Sequence, residues 1–126
     1  MKPRHVSAIA GLQCMLLCGA AVAQIYDHPR NLQVLPADIG ADELRDTMKS
    51  FFFGTGLRCS SCHVGEEGQP LTTYDFASDE VELKQTARQM LRMVNAINTE
   101  HLAALGPERA EVSCATCHRG ERLPGD

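Results

Sequence analysis

Two pentapeptides of one form, Cys59-Ser60-Ser61-Cys62-His63 and Cys114-Ala115-Thr116-Cys117-His118, constrain this 126-residue chain more than anything else in it. Each sets two thiols around a two-residue gap and puts an imidazole directly after the second thiol. Covalent attachment of a porphyrin requires that order: the thiols reach the two vinyl-bearing edges of one macrocycle, and the adjacent imidazole lies under the iron as its proximal ligand. One such pentapeptide is a moderately strong signal, and two in one chain are a very strong one. They predict two covalently bound haem c groups, attached through Cys59, Cys62, Cys114 and Cys117, with His63 and His118 on the irons.

Other uses of paired cysteines fit less well. Two Cys-x-x-Cys pairs could supply a structural zinc, but a histidine after both pairs would then be incidental. A redox-active dithiol would want one motif in a strand-helix setting, not two motifs behind helices. Disulfides between the pairs remain a further alternative.

The start of the chain reads as an export signal. Lys2 and Arg4 precede a mostly apolar stretch from Val6 to Ala23, and Ala21-Val22-Ala23 has the small-x-small pattern of a cleavage site, which places the cut after Ala23. A lipid anchor would need a small residue before the modified cysteine, whereas Leu17 precedes Cys18 and Gln13 precedes Cys14. The stretch is 18 residues, long enough in principle for an uncleaved membrane anchor, but Gly11, Gln13 and Gly19 weaken it for that purpose. The expected organisation is a signal peptide over 1–23 and one domain over 24–126, with a periplasmic location and no membrane span after cleavage.

Residues 24–126 hold ten Lys and Arg against sixteen Asp and Glu, a formal charge of −6. That balance disfavours nucleic acid and anionic membranes and suits a basic docking partner. A domain of this size is marginal on side-chain burial alone. Its apolar inventory is thin as well: no Trp, and only Phe51, Phe52, Phe53, Phe76, Tyr26 and Tyr74 as aromatics in this stretch. Two macrocycles would supply the missing core.

Pro29, Pro36 and Gly40 punctuate an irregular lead-in, where Asn31 to Leu35 alternates as a short strand or packed coil would. From Asp42 to Phe53, Leu44, Met48, Phe51 and Phe52 recur at helical spacing, with Gly54 and Gly56 as stops. Residues 64 to 78 read as a loop. Asp79 and Glu82 resemble a capping box opening a long helix that runs to about Leu105 and ends at Gly106-Pro107. Leu83, Ala87, Met90, Val94, Ile97, His101 and Leu105 share one face of it, with Met93 at the edge and Arg88, Arg92 and Asn95 away from it. The plan is therefore helix, turn, motif, repeated once with 55 residues between equivalent cysteines.

A carrier haem has six ligands, and a thioether opposite histidine raises its potential relative to a second imidazole. Met48 lies on the apolar face of the first helix, eleven residues before Cys59, and is the candidate for the first iron; ordinary core packing is the competing role. At the second iron Met90 is the candidate and His101, three turns along the same face, is the alternative; Met93 reads as core filler.

Several strings resemble the cytochrome c subunit of photosynthetic reaction centres, a tetrahaem family built from two dihaem halves. They are Asn31-Leu32-Gln33-Val34-Leu35, Ala87-Arg88-Gln89-Met90-Leu91-Arg92-Met93, Ala96-Ile97-Asn98-Thr99 and Val112-Ser113-Cys114-Ala115-Thr116-Cys117-His118-Arg119-Gly120. The likeness runs from Asn31 to Pro124 and matches the family's first half. It implies helix-turn-motif units in which a helix methionine caps each iron, which places the axial methionines at Met48 and Met90. The family also uses a histidine beyond the second helix to ligate a haem of the other half; His101 is nearby but does not align with it. Arg88, Arg92 and Arg119 are candidates for pairing with haem propionates, with a solvated face as the alternative, preferred for Arg92.

The expected fold is mainly α, a multihaem c-type cytochrome of two helix-turn-CxxCH units with irregular loops. The expected role is electron transfer between redox protein partners, such as a membrane-bound reaction centre or respiratory complex, and not an enzyme. A dihaem peroxidase with one open iron is the alternative from another class. Nothing resembles a Ser-His-Asp set, a carboxylate pair or a phosphate loop.

Overall fold

The computed structural model describes residues 24–125. The export signal expected over 1–23, with its cut after Ala23, lies outside the described residues. Three α-helices carry the fold: α1 (Ala41–Thr55), α2 (Glu82–Ala96) and the short α3 (Cys114–His118). Single 3-10 turns at Gln24–Tyr26, Cys59–Ser61, Leu71–Thr73 and Ala103–Leu105 and one π-turn at Ile97–His101 fill the links. Among the described residues there is no strand, only an isolated bridge between Val64 and Asp75. The 31–35 segment is packed coil, turned at its start by Asn31 with φ 61°.

Helix α1 forms where periodicity places it, two residues longer at its end. Asp42 and Glu43 sit in its first turn, where negative charge complements the free N–H groups of the helix start. It stops because Gly56 adopts the left-handed conformation (φ 70°) and turns its N–H back to the Phe52 carbonyl, at 2.9 Å. A side chain at Gly56 would also collide with the Gly120 carbonyl.

Helix α2 differs from expectation at both ends. It opens at Glu82 behind Val81, with no side-chain cap. The Asp79 carboxylate is engaged elsewhere: Oδ1 receives Asn31 Nδ2 at 2.9 Å and lies 3.2 Å from Lys84 Nζ and 2.9 Å from Arg88 Nη1, while Oδ2 receives Gln33 Nε2 at 3.2 Å. Two cations hold a carboxylate more strongly than one exposed peptide N–H can, so the capping role loses. At the other end the helix widens into the π-turn, closed by Leu102 N–H to Ile97 O at 2.8 Å. The Asn98 amide then bonds the Val112 backbone in both directions, at 2.9 Å each, which fixes the link into the second motif.

The second motif is itself helical. The Thr116 hydroxyl receives the Ser113 N–H at 2.9 Å, forming a capping box, and Arg119 ends the helix at φ 53°. This helix packs on the end of α1, where Gly120 N–H meets the Gly54 carbonyl at 2.8 Å. The fit is tight enough that a Cβ at Gly54 would lie 2.6 Å from Cys114 Cβ.

The side-chain core is small. Among the described residues only Ile39 and Leu44 are buried apolar side chains, and Lys84, Arg88 and Thr55 are the buried polar ones. Burial on that scale cannot offset the chain entropy of about a hundred residues. No helix among the described residues is long and apolar enough to cross a membrane.

Candidate haem sites

A cleft of about 720 Å³ takes the place of a core. It lies in the upper part of the range of roughly 300–1,000 Å³ in which small-molecule and cofactor sites fall. Leu44, Met48, Phe51, Phe52 and Thr55 of α1 form one part of its lining, and Leu83, Ala87, Met90, Leu91 and Val94 of α2 another. Both motifs open into it through Cys59, Cys62, His63, Cys114, Cys117 and His118. The structure therefore brings all four motif cysteines, both motif histidines, Met48 and Met90 to one cavity. His101 is exposed in the π-turn and lines no part of the cleft, whereas Met93, 45% exposed, lines it along with Met48 and Met90.

The two motif imidazoles sit in different surroundings. His63 is half-buried, with the Phe76 ring edge-on at 4.9 Å and Tyr74 stacked on Phe76 at 5.7 Å. Burial first, then the Lys84 charge, with a smaller addition from Arg88, hold its pKa down to about 4, against an opposing pull from the Phe76 backbone. Its Nδ1 is buried, and no acceptor there meets the geometry of a hydrogen bond. The ring is thus neutral at neutral pH, the form that ligates metal. His118 Nδ1 lies 3.1 Å from the Glu121 carbonyl. A carbonyl only accepts, so Nδ1 carries the proton and Nε2 keeps the free lone pair for iron.

The thiols fit attachment better than the alternatives. None of the four motif cysteines is in a disulfide. A structural zinc needs four converging donors, and no three His, Cys, Asp or Glu side chains converge among the described residues. A reactive dithiol needs a lowered thiol pKa; burial, with Cys59 beside it, pushes the Cys62 thiol up, against a weaker pull from Lys84. Cys114 lies against α1, its Sγ 3.9 Å from Ser50 Oγ.

Charge supplies a second test of fit. Arg30, Arg58, Lys84, Arg88 and Arg122 line the cleft and no Asp or Glu does, although acids outnumber bases in the chain. A haem carries two propionate carboxylates, so a cavity lined only by cations matches it in charge as well as in apolar surface. Arg88 was among the candidates for pairing with propionates, but the helical wheel set it on the polar face of α2 and did not foresee its burial. Arg88 and Lys84 are in fact buried, 7% and 8% exposed. Their i, i+4 spacing just after Asp79 was the available signal. Arg92 and Arg119 are exposed and lie outside the cleft lining.

Comparison with known proteins agrees with this geometry. Residues 15–126 match the family model described as the photosynthetic reaction centre cytochrome C subunit. The chain is 34% identical over 102 residues to cytochrome c-554 of Chloroflexus aurantiacus, which covers 79% of this chain and 22% of that protein. It is 31% identical over 111 residues to the photosynthetic reaction center cytochrome c subunit of Thermochromatium tepidum, covering 84% of this chain and 23% of that one. The matched region spans less than a quarter of either relative. No solved structure matches the chain significantly.

Proposed function

Since the chain belongs to the photosynthetic reaction centre cytochrome c subunit family, we propose that it is a dihaem c-type cytochrome that passes single electrons between redox proteins on the periplasmic side of the membrane. The observation that carries this reading is the single cleft into which both Cys-x-x-Cys-His motifs, Met48 and Met90 all open. Haem c, when bound, supplies a one-electron couple between ferric and ferrous iron.

The chain's own residues do the rest. Cys59 and Cys62, and Cys114 and Cys117, tether the groups so that they cannot dissociate. His63 and His118 would supply ring nitrogens to the irons, and Met48 and Met90 would supply thioethers. With those four ligands engaged, peroxide or oxygen would find no open position on either iron. The peroxidase alternative would want a proton-transfer group beside an open iron. Among the described residues the cleft is lined by no carboxylate, and its only histidines are those of the motifs. The Lys2–Ala23 leader supports export, and the acidic balance of the chain supports a basic docking partner, a reaction centre or a respiratory complex being the classes that the family suggests.

Mass spectrometry of the exported protein tests the proposal. Two added porphyrin masses, with a Soret band that survives acid-acetone extraction, are the expected result. Bare polypeptide would sink it. A carbon monoxide adduct in the reduced state would instead favour the enzyme.

A further inference from the structure

The lead-in at 31–35 lines one side of the cleft, yet it belongs to no helix or sheet. Its apolar residues Leu32, Val34 and Leu35 are half-buried there. Among the described residues, 31–35 form no backbone-to-backbone hydrogen bond. Side chains do the fastening instead. Asn31 Nδ2 donates to the Ala77 carbonyl at 2.7 Å and to Asp79 Oδ1 at 2.9 Å. Asn31 Oδ1 receives Gln33 Nε2 at 3.0 Å, and Gln33 Nε2 also reaches Asp79 Oδ2 at 3.2 Å. The main-chain carbonyl of Asn31 receives Arg88 Nη2 of α2 at 3.1 Å. One residue thus ties the lead-in to a loop 46 and 48 positions away and to a helix 57 positions away.

The backbone of Asn31 suits this role. Its φ of 61° is left-handed, a conformation that asparagine tolerates and most side chains do not. The polar residues 31 and 33 bond to Asp79, while Leu32 and Val34, alternating with them, are half-buried at the cleft. The anchor lies beside the first motif: Ala77 follows Phe76, whose ring stands edge-on to His63 at 4.9 Å. We infer that Asn31 is a positioning residue that holds 31–35 as a wall of the cleft and so keeps water from the first haem. This rests on the haem reading above. Ferric iron carries one more positive charge than ferrous iron, and water favours it, so a drier site has a higher potential. Fastening the lead-in is then part of what sets that potential.

Asn31→Gly and Asn31→Asp separate the side chain from the turn. Glycine adopts the left-handed turn freely but has no amide. Aspartate keeps the size of asparagine but meets the Ala77 carbonyl and the Asp79 carboxylate with no hydrogen to donate. Amide hydrogen exchange over 32–35 and a redox titration are recorded on holoprotein of the native chain and of both variants. Faster exchange is expected in each variant. One reduction wave should fall by about tenfold in equilibrium constant, about 59 mV for one electron, with the other in place. Faster exchange with two unmoved waves would overturn the control of water at the haem. Exchange as slow as in the native protein would overturn the fastening itself. Asn31→Gly decides the matter where repulsion in Asn31→Asp prevents maturation. Either negative result, in protein that retains both haems, leaves the haem reading intact, whereas colourless native protein would overturn both.

Discussion

The two Cys-x-x-Cys-His motifs are alike in sequence and unlike in space. Cys59–Ser61 forms a single 3-10 turn, and its histidine is held by side chains: the Phe76 edge, with buried Lys84 and Arg88 nearby. Cys114–His118 is a capped helix whose histidine is held by backbone, through the Glu121 carbonyl, and whose first cysteine is pressed against α1. A motif prescribes which atoms reach a porphyrin. Its surroundings decide how rigidly they are held, how charged the neighbourhood is, and which other element the site depends on. The first site depends on the polar network around Asp79, and the second depends on the end of the helix that precedes the first.

That contrast can be broken outright. Replacing Cys114 and Cys117 together by Ala should remove half of the covalent pigment and one porphyrin mass; loss of both would show that the first motif cannot mature alone. Next in size, Met48→Ala and Met90→Ala should each abolish one methionine-to-iron near-infrared band and lower one potential, because a thioether ligand is lost. An unchanged redox titration for either variant would remove that methionine from the ligand set.

Gly54→Ala addresses the second site alone. Its new Cβ would fall 2.6 Å from Cys114 Cβ, so the α1–α3 contact must open. Overpacking of this kind costs about 1–3 kcal/mol, readable as a lower denaturation midpoint. A variant as stable as the native protein would show that the contact is slack.

Acid should weaken the first site's network. Arg88 chiefly, then Asn31 and Lys84, hold the Asp79 carboxyl well below the usual carboxylate range. A depressed folded pKa stabilises above the unfolded value, about 3.9 for Asp, and that contribution is lost as pH falls from there through the folded value. Asp79→Asn should flatten this part of the acid-stability curve; an identical curve would show that the network carries no linkage. The smallest effect is expected at Arg58, paired with Glu67 at 2.7 Å while both side chains are 63% exposed. Arg58→Ala should change stability by no more than about 1 kcal/mol in the same denaturation measurement, despite its position next to Cys59.

Much of α1 was legible because its signals are local: a periodic apolar face, acids in the first turn and glycines at the end all act within a few residues. The lining role of Met48 followed from the same periodicity. Asp79 shows where such reading stops. A capping box and an ion-pair hub look the same along the chain, and the choice between them rests on Asn31 and Gln33, more than forty residues upstream, and on whether Lys84 and Arg88 are buried. The end of α2 shows the same limit, since its π-turn accompanies a bond between Asn98 and Val112 that no spacing announces.

By itself the sequence determined which side chains could bind a porphyrin and in what order, because thiol, imidazole and thioether chemistry belongs to the residues and their spacing to the backbone. Only the tertiary structure decided that both motifs face one cleft, that the second leans on the helix of the first, and that two buried cations lie beside His63. Those facts depend on contacts between distant segments, whose energies arise only when the chain has closed around the space between them.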